Sequence, residues 1–181
     1  MLSDAQIREQ FVEKHLKRSK AVYHELAVKR GIAIADLVAI NNSAHCYEIK
    51  SDVDSLNRLP GQIVNFSDVF KKVTLITTAK HAVKASAIIP DWWGVIIARE
   101  SKNNDVIFNY LRISCTNPKD TSSDLLAMLW NDELKRVLDL MGVYYKKKYN
   151  RDELIAIIIN NSSSKCIGKI FSDVMFKRFN Q

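Results

Sequence analysis

The stretch Ile32-Ala33-Ile34-Ala35-Asp36-Leu37-Val38-Ala39-Ile40, followed closely by His45-Cys46-Tyr47-Glu48-Ile49-Lys50-Ser51, decides the fold. The first run is almost wholly apolar, which is typical of a strand that is covered on both faces. In the second run, more polar and more apolar residues alternate with the period of two that is typical of a strand. The polar cluster Asn41-Asn42-Ser43-Ala44 between the two runs predicts a turn. Together the two runs predict a β-hairpin.

One carboxylate interrupts the first of these strands. Asp36 lies in an apolar run where a charge is seldom tolerated without a function, because burying it is costly. Glu48 and Lys50 are two residues apart on the second strand, so they project to one face. A three-residue loop, Asn41 to Ser43, would set Asp36 directly opposite Glu48. A loop of two or four residues would turn Asp36 to the other face, and the sequence leaves both registers open.

Two carboxylates and a lysine around a hard cation suit phosphodiester hydrolysis. Opposed carboxylates repel each other, and a divalent cation between them reverses the sign of that interaction. Magnesium prefers oxygen ligands, keeps several waters and can supply an activated water. Lys50 would hold or deprotonate that water, and Glu25, on a helix predicted to precede the strand, could serve as an outer ligand or as a ligand of a second metal ion. The alternative is that Glu48 and Lys50 form an exposed ion pair, worth under about 1 kcal/mol.

The remaining chain alternates between helical and extended patterns. Helices are expected over 4–30, 54–71, 79–89, 125–141 (as one helix or a bent pair), 152–159 and 165–179, and strands over 73–78, 95–99 and 106–113. This order predicts an α/β core with a mixed sheet flanked by helices. We expect the core with its N-terminal helices to occupy residues 1–118 and a small helical C-terminal module to occupy residues 119–181, joined by a linker at 116–120.

Composition narrows the classes of function. The 181 residues carry 27 Lys and Arg against 20 Asp and Glu, a net charge of +7 that mildly favours a polyanionic partner. The three cysteines form no C-x-x-C pair, which argues against a disulfide framework and structural zinc. The N-terminus lacks a signal-peptide pattern, and no apolar run approaches the roughly 20 residues of a membrane span. We expect a cytoplasmic protein that uses neither a membrane nor a nucleotide cofactor.

The signature Ala35-Asp36, Glu48-Ile49-Lys50, with Glu25 upstream, resembles that of the PD-(D/E)XK nuclease superfamily. The αβββαβ order of elements, with the signature on the second and third strands, is similar too. The wider pattern is similar to a subgroup of small bacterial and phage proteins near the MmcB-like DNA-repair branch; its segments are Ala35–Val38, Tyr47–Asp52, Leu59–Gln62 and Val73–Leu75. The resemblance covers roughly residues 20–115, and it implies a restriction-endonuclease-like core.

The resemblance also implies metal-dependent cleavage of DNA. Asp36 and Glu48 match the metal ligands, with the Ile49 carbonyl as a third. Lys50 matches the catalytic lysine, and Glu25 matches the acidic residue of the first core helix. The implied cofactor is Mg²⁺ or Mn²⁺, and the implied enzyme is a deoxyribonuclease, an endonuclease or other phosphodiester hydrolase in DNA repair or host–phage defence. The alternatives are a non-catalytic DNA-binding or regulatory protein on the same fold, or an RNA-directed nuclease.

Two further segments are candidates for contact with DNA. Gln62 lies where some branches of the superfamily carry Gln-x-x-x-Tyr, although the fourth following residue here is Phe66, and Ala35 stands where the motif has proline. Lys146-Lys147-Lys148 lies among three tyrosines, and such a mixture can neutralise phosphates and stack on bases. A solvated loop is the alternative for the lysines, and a helix-surface position is the alternative for Gln62. Whether the chain forms a homodimer is left open.

Overall fold

One six-stranded mixed sheet, in the order β1-β2-β3-β4-β5-β6, organises the computed structural model, which describes residues 1–181. The strands are β1 (Ala21–Val28), β2 (Ala33–Ile40), β3 (Ala44–Lys50), β4 (Lys72–Thr78), β5 (Gly94–Glu100) and β6 (Val106–Arg112). The β3–β4 and β4–β5 pairs are parallel, and the other pairs are antiparallel. Parallel neighbours need a crossover. The helices α2 (Leu59–Val69) and α3 (Ala79–Ser86) supply the two crossovers. The predicted α/β core with a mixed sheet is confirmed.

Helices cover both faces of this sheet. On one face lies α1 (Asp4–Phe11), which continues into a π-helical turn over Val12–Leu16. Its buried side chains Ile7 and Phe11 belong to a small apolar cluster with residues of the sheet such as Leu37 and Ile49. The larger cluster lies on the opposite face, where α2 and α3 pack. The central strands are thus buried from both sides, which explains their nearly continuous apolar sequence.

Four helices complete the chain, namely α4 (Ser122–Leu126), α5 (Asn131–Met141), α6 (Arg151–Asn160) and α7 (Ser164–Phe179). Their buried side chains, among them Leu138 and Phe171, join the same apolar cluster as Phe66 of α2. The expected helix over 125–141 is a pair, because the chain leaves helical geometry between α4 and α5. None of the seven α-helices combines the length and apolar character that crossing a membrane requires. The division of the chain at residue 118 stays a prediction.

The predicted helix over 4–30 is wrong in its second half. Residues 21–28 form β1, which pairs with β2 through, for example, His24 with Leu37 and Leu26 with Ala35. Glu25 lies between these two pairs with φ at +52°, so the strand departs locally from regular extended geometry. The element order is therefore α1, β1, β2, β3, α2 and β4, which is the αβββαβ order that the resemblance implies.

The register of the β2–β3 hairpin is the one that the three-residue loop requires. Ile40 pairs with Ala44, and the ladder continues to Leu37 with Tyr47. In this register Asp36 is the next residue of β2 and Glu48 is the next residue of β3. The sequence left the register open, and the structure settles it in favour of Asp36 opposite Glu48.

Gly94, at the start of β5, allows a close approach of three chain segments, and this leads to a stability prediction. A Cβ at Gly94 would lie 2.6 Å from Thr74 Oγ1 and 2.9 Å from the Ser114 backbone nitrogen. We expect Gly94→Ala to lower the free energy of unfolding by about 1–3 kcal/mol, because the backbone must shift. Gly168 of α7 has nothing within 4 Å of such a Cβ. Gly168→Ala should therefore raise the free energy of unfolding by about 0.5–1 kcal/mol. Urea denaturation measures the free energy of unfolding of each variant. Equal changes in the two variants would show that the close approach at Gly94 does not limit side-chain size there.

Candidate active site

The site begins where β2 separates from β3. Their paired residues end at Leu37 and Tyr47, so the next residues do not continue the backbone ladder. The Ile49 backbone N–H instead donates to Asp36 Oδ2 at 2.7 Å. A side-chain carboxylate has taken the place of a backbone carbonyl, which satisfies the N–H and holds the aspartate between the two strands. This contact brings Asp36 to the side chains that follow on β3.

Glu48 and Lys50 lie side by side on β3 and face α2. Both are nearly fully buried, at 1% and 2% exposure. The Lys50 ammonium forms a short ion pair with Glu48 Oε1, and Gln62 Nε2 of α2 donates to the same oxygen at 2.6 Å. Glu48 Oε2 is buried and has no hydrogen-bond partner, and the same is true of Gln62 Oε1. Buried polar atoms usually have a hydrogen-bond partner, so these two oxygens are available to a bound ligand.

Arg8 of α1 is a site residue that the sequence analysis missed. Its guanidinium lies 2.8 Å from Asp4, 3.4 Å from Asp36 Oδ1 and 3.7 Å from Glu25 Oε1. It also donates to the backbone carbonyl of Asp36 at 3.2 Å. The packing of α1 against the sheet places this arginine 28 residues away in sequence from its main partner. No local pattern signals such a contact.

These groups share one cleft of about 320 Å³. It is lined by Asp4, Arg8, Glu25, Ile34, Asp36, Glu48, Ile49, Lys50, Asp54, Arg58 and Gln62. The cleft thus brings together every predicted catalytic and metal-binding residue, and it includes Gln62. Glu25 reaches it from β1 rather than from a helix, with a largely exposed side chain, which corrects its predicted element. Lys146, Lys147 and Lys148 lie in the exposed loop before α6 and do not line the cleft.

The electrostatics of the cleft favour an added positive charge. Burial raises the pKa of Asp36 above its usual value, although the Ile49 N–H and the Lys50 ammonium oppose the shift. Burial and then the nearby charge of Asp36 raise the pKa of Glu48, against the opposing effect of Lys50. A cation between the two carboxylates would lower the pKa of both.

The donor set fits a hard divalent ion that retains water. No three side chains of His, Cys, Asp or Glu are grouped as metal ligands in the structure. The available protein ligands are oxygens of Asp36 and Glu48. Because the N–H and the carbonyl of a strand residue project to the same side, strand geometry places the Ile49 carbonyl on the side of its N–H, which donates to Asp36. One or two carboxylates with waters is the usual way in which proteins bind Mg²⁺.

The fold and the cleft define an α/β protein with a carboxylate pair and a lysine at the divergence of two adjacent strands. The chain belongs to the family described as bacteriophage P4 protein cII, which matches residues 4–181. Protein cII of Enterobacteria phage P4 is 29% identical over 153 residues, which cover 84% of this chain and 58% of that protein. The chain thus spans about three fifths of the length of this curated relative.

A solved structure supports the fold. A protein of unknown function from Silicibacter pomeroyi superposes with a TM-score of 0.50 at 10% sequence identity. The match covers 78% of this chain and 92% of that chain. At this identity the likeness concerns the fold alone.

His45 lies on the opposite face of β3 from Glu48, as strand alternation predicts. Its ring stacks on Tyr47 with centroids 4.2 Å apart, and its Nε2 lies 2.8 Å from Thr74 Oγ1. Burial, aided by the charge of Lys72, lowers the pKa of His45 from its usual 6.5 to about 3. The histidine is therefore a neutral packing residue rather than a member of the cleft.

The low pKa of the half-buried His45 predicts a loss of stability in acid. Because the unfolded chain binds a proton below pH 6.5 and the folded chain does so only near pH 3, stability falls as the pH is lowered through this window. We expect wild type to lose about 2 kcal/mol more than His45→Asn between about pH 7 and pH 5, as measured by urea denaturation at each pH. His24, an exposed histidine of β1, provides the matched control. A His24→Asn variant that flattened the pH dependence equally would contradict this assignment.

Proposed function

We propose that the protein is a metal-dependent nuclease that hydrolyses DNA phosphodiester bonds. The observation that carries the proposal is the convergence of Asp36, Glu48 and Lys50 on one cleft, with Glu48 Oε2 buried and lacking a partner. A purely structural Glu48–Lys50 pair would leave that oxygen unexplained. It would also leave unexplained why a third charged group, Asp36, interrupts an otherwise apolar strand at the same point.

Asp36, Glu48 and the Ile49 carbonyl would hold the cofactor, which we propose to be Mg²⁺ or Mn²⁺. Such an ion supplies charge to a phosphoryl oxygen and makes a bound water more acidic. The orphaned Oε2 of Glu48 is the natural first ligand, since no protein donor competes for it. Asp36 Oδ1 is the second, and it is held only by the long 3.4 Å contact to Arg8.

The side chains around these ligands have separable roles. Lys50 would hold the attacking water. The water oxygen bonds to phosphorus as one ester P–O bond breaks, the water releases one proton to solvent, and the departing oxygen takes up one proton from solvent. Gln62 fixes the Glu48 carboxylate through its 2.6 Å hydrogen bond. Arg8 orients Asp36, and Glu25 remains an outer carboxylate linked to the site through Arg8.

DNA is the proposed polyanion. The net charge of +7 supports it, and Lys146, Lys147 and Lys148 are exposed cations outside the cleft that are free to contact a backbone distant from the cut. Lys146 lies 6.0 Å from the centre of the Tyr149 ring, so a cation and an aromatic surface are presented together. We propose a cytoplasmic role in DNA repair or in host–phage defence, and endonuclease action or homodimer formation would be compatible with this cleft.

The first test is cleavage. With Mg²⁺ or Mn²⁺ we expect the purified protein to nick or degrade DNA, and chelator should stop it. Lys50→Ala should keep DNA binding and lower the cleavage rate by about 10²- to 10⁴-fold, because it removes the group that holds the water. Lys84→Ala, which removes an exposed lysine of α3, is the matched control and should cut at the wild-type rate.

Two results would contradict the proposed enzyme. The first is chelator-resistant DNA binding without cleavage that is equal in wild type and Asp36→Ala, which would favour the non-catalytic DNA-binding alternative. The second is cleavage of RNA but not of DNA in the same assay, which would establish the RNA-directed alternative.

The second test is metal binding itself, measured by calorimetric titration with Mn²⁺ in the absence of DNA. Asp36→Asn and Glu48→Gln should each weaken Mn²⁺ binding by about 10- to 100-fold, because each removes a charged ligand. Glu9→Gln changes an exposed carboxylate of α1 and should bind as wild type does. Undiminished Mn²⁺ binding in both site variants would place the ion elsewhere.

A further inference from the structure

A second groove adjoins the candidate active site. It has a volume of about 440 Å³ and shares Ile34, Arg58 and Gln62 with the catalytic cleft. Its outer part is formed by the tip of the β1–β2 hairpin, at 31–33, and by Asn57, Gly61 and Asn65 at the start of α2. The cleft and the groove are therefore neighbours on the surface, and the side chains of these three residues face both.

The hairpin side of the groove is apolar and exposed. Ile32 is 73% exposed and Ile34 is 53% exposed. Single exposed aliphatic residues are ordinary on a protein surface. These two differ because both line a groove that leads to a centre proposed to act on a polyanion, where hydrated phosphates gain nothing from an isoleucine.

An ion pair ties the tip of the β1–β2 hairpin to α2. Lys29, Arg30 and Gly31 have φ values of +51°, +60° and +90°, three consecutive residues in a region that only glycine adopts without strain. The Lys29 ammonium lies 2.5 Å from Asp68 of α2, which also pairs with Lys119. Strained backbone persists where its surroundings over-determine it, and it is concentrated at functional sites. Ile32 therefore follows a segment that is tied to α2, and Ile34 lies in β2.

Two arginines lie near these isoleucines. Arg30 at the tip and Arg58 at the start of α2 are both exposed, and neither forms an ion pair with a carboxylate. Arg58 lines the groove itself and Arg30 precedes it on the hairpin, so both are available to the phosphates of a strand that lies in the groove. The groove therefore combines an apolar surface with positive charge. This combination is complementary to an unstacked nucleotide, which has an apolar base face and a negatively charged phosphate.

We propose that this groove receives unpaired nucleotides of DNA, so that the substrate is DNA with a single-stranded segment beside the scissile bond. In an intact duplex the base faces are stacked, and a side chain that contacts them must first meet the cost of unstacking. Where the strand is already unpaired that cost is absent, and Ile32 and Ile34 can pack against the bases. Arg30 and Arg58 then contact the flanking phosphates, which position the strand. This inference rests on the proposed function for the reaction, but its binding step can be measured separately.

The test presents one fluorescently labelled strand in three forms: alone, in a blunt duplex and in a fork with unpaired arms. Anisotropy titrations in chelator measure affinity without cleavage. We expect wild type to bind the fork and the single strand about tenfold more tightly than the duplex, since two aliphatic side chains become buried. The double variant Ile32→Ser, Ile34→Ser should lose this preference and keep its affinity for the duplex within about twofold.

The controls separate apolar contact from charge and from folding. Val83→Ser removes an exposed aliphatic side chain of α3, which is 83% exposed, and should retain the preference. Arg58→Gln should weaken binding of all three DNA forms alike, because Arg58 also lines the cleft and would contact phosphate, which every form carries. Because both isoleucines are exposed, the double variant should keep the unfolding midpoint of wild type.

Equal wild-type affinity for the three probes, or a preference that survives in the double variant, would overturn the inference even if the protein cuts DNA with Mg²⁺. Conversely, a preference that depends on Ile32 and Ile34 in a protein that cuts no DNA with Mg²⁺ or Mn²⁺ would support the inferred binding and refute the proposed hydrolysis.

Discussion

The hydrogen bond from the Ile49 N–H to the Asp36 carboxylate is the contact on which the candidate site depends. Regular pairing of β2 with β3 would direct backbone groups of both strands at each other and leave no opening between them. The ladder stops at Leu37 and Tyr47, and the 2.7 Å bond to Asp36 satisfies the N–H that would otherwise be orphaned. The same bond fixes the position of Asp36, so one interaction both opens the cleft and places a carboxylate in it.

The charged groups of the cleft are partly neutralised by the protein itself. The Lys50–Glu48 pair is buried, where desolvation makes an ion pair a poor source of stability, and Arg8 spans three carboxylates at the cleft mouth. Such an arrangement costs stability relative to apolar packing. It is explained if the side chains are kept for binding, because Glu48 Oε2 and Gln62 Oε1 remain without partners despite these cations.

The hairpin and its signature could be predicted from the sequence because they depend on local information. A turn of three polar residues and a period of two suffice to set Asp36 opposite Glu48 once the loop length is known. The strand β1 could not be recognised in the same way. Val22 and Leu26 are spaced as on a helix, and Glu25 at φ +52° interrupts the alternation that would have indicated a strand. Tertiary pairing with β2 overrides this local pattern.

The contact between Arg8 and the candidate site could not be predicted from the sequence for a different reason. Its contact with Asp36 exists only because Ile7 and Phe11 anchor α1 on the far side of the sheet, and nothing near Arg8 encodes that placement. The lysines at 146–148 illustrate the opposite case, since a basic run is conspicuous in sequence yet lies outside the cleft. The sequence shows which residues are charged, but the tertiary packing determines which charged side chains contact each other.

The strand β2 connects the candidate active site to the second groove. Asp36 and Ile34 are two residues apart on it, and both line the candidate active site, while Ile34 also lines the second groove. In a regular strand, residues 33, 35, 37 and 39 would all lie on the same face of the sheet. Instead Ala33 and Ala35 belong to the larger apolar cluster and Leu37 and Ala39 to the smaller one, so the strand changes face at Asp36. Because of that change, residues 37–40 are buried between the helices on the two faces of the sheet, while Ile34 in the first half of the strand is exposed to the groove. A carboxylate that lines the candidate site and an aliphatic side chain that lines the groove are thereby carried by the same short stretch of one strand.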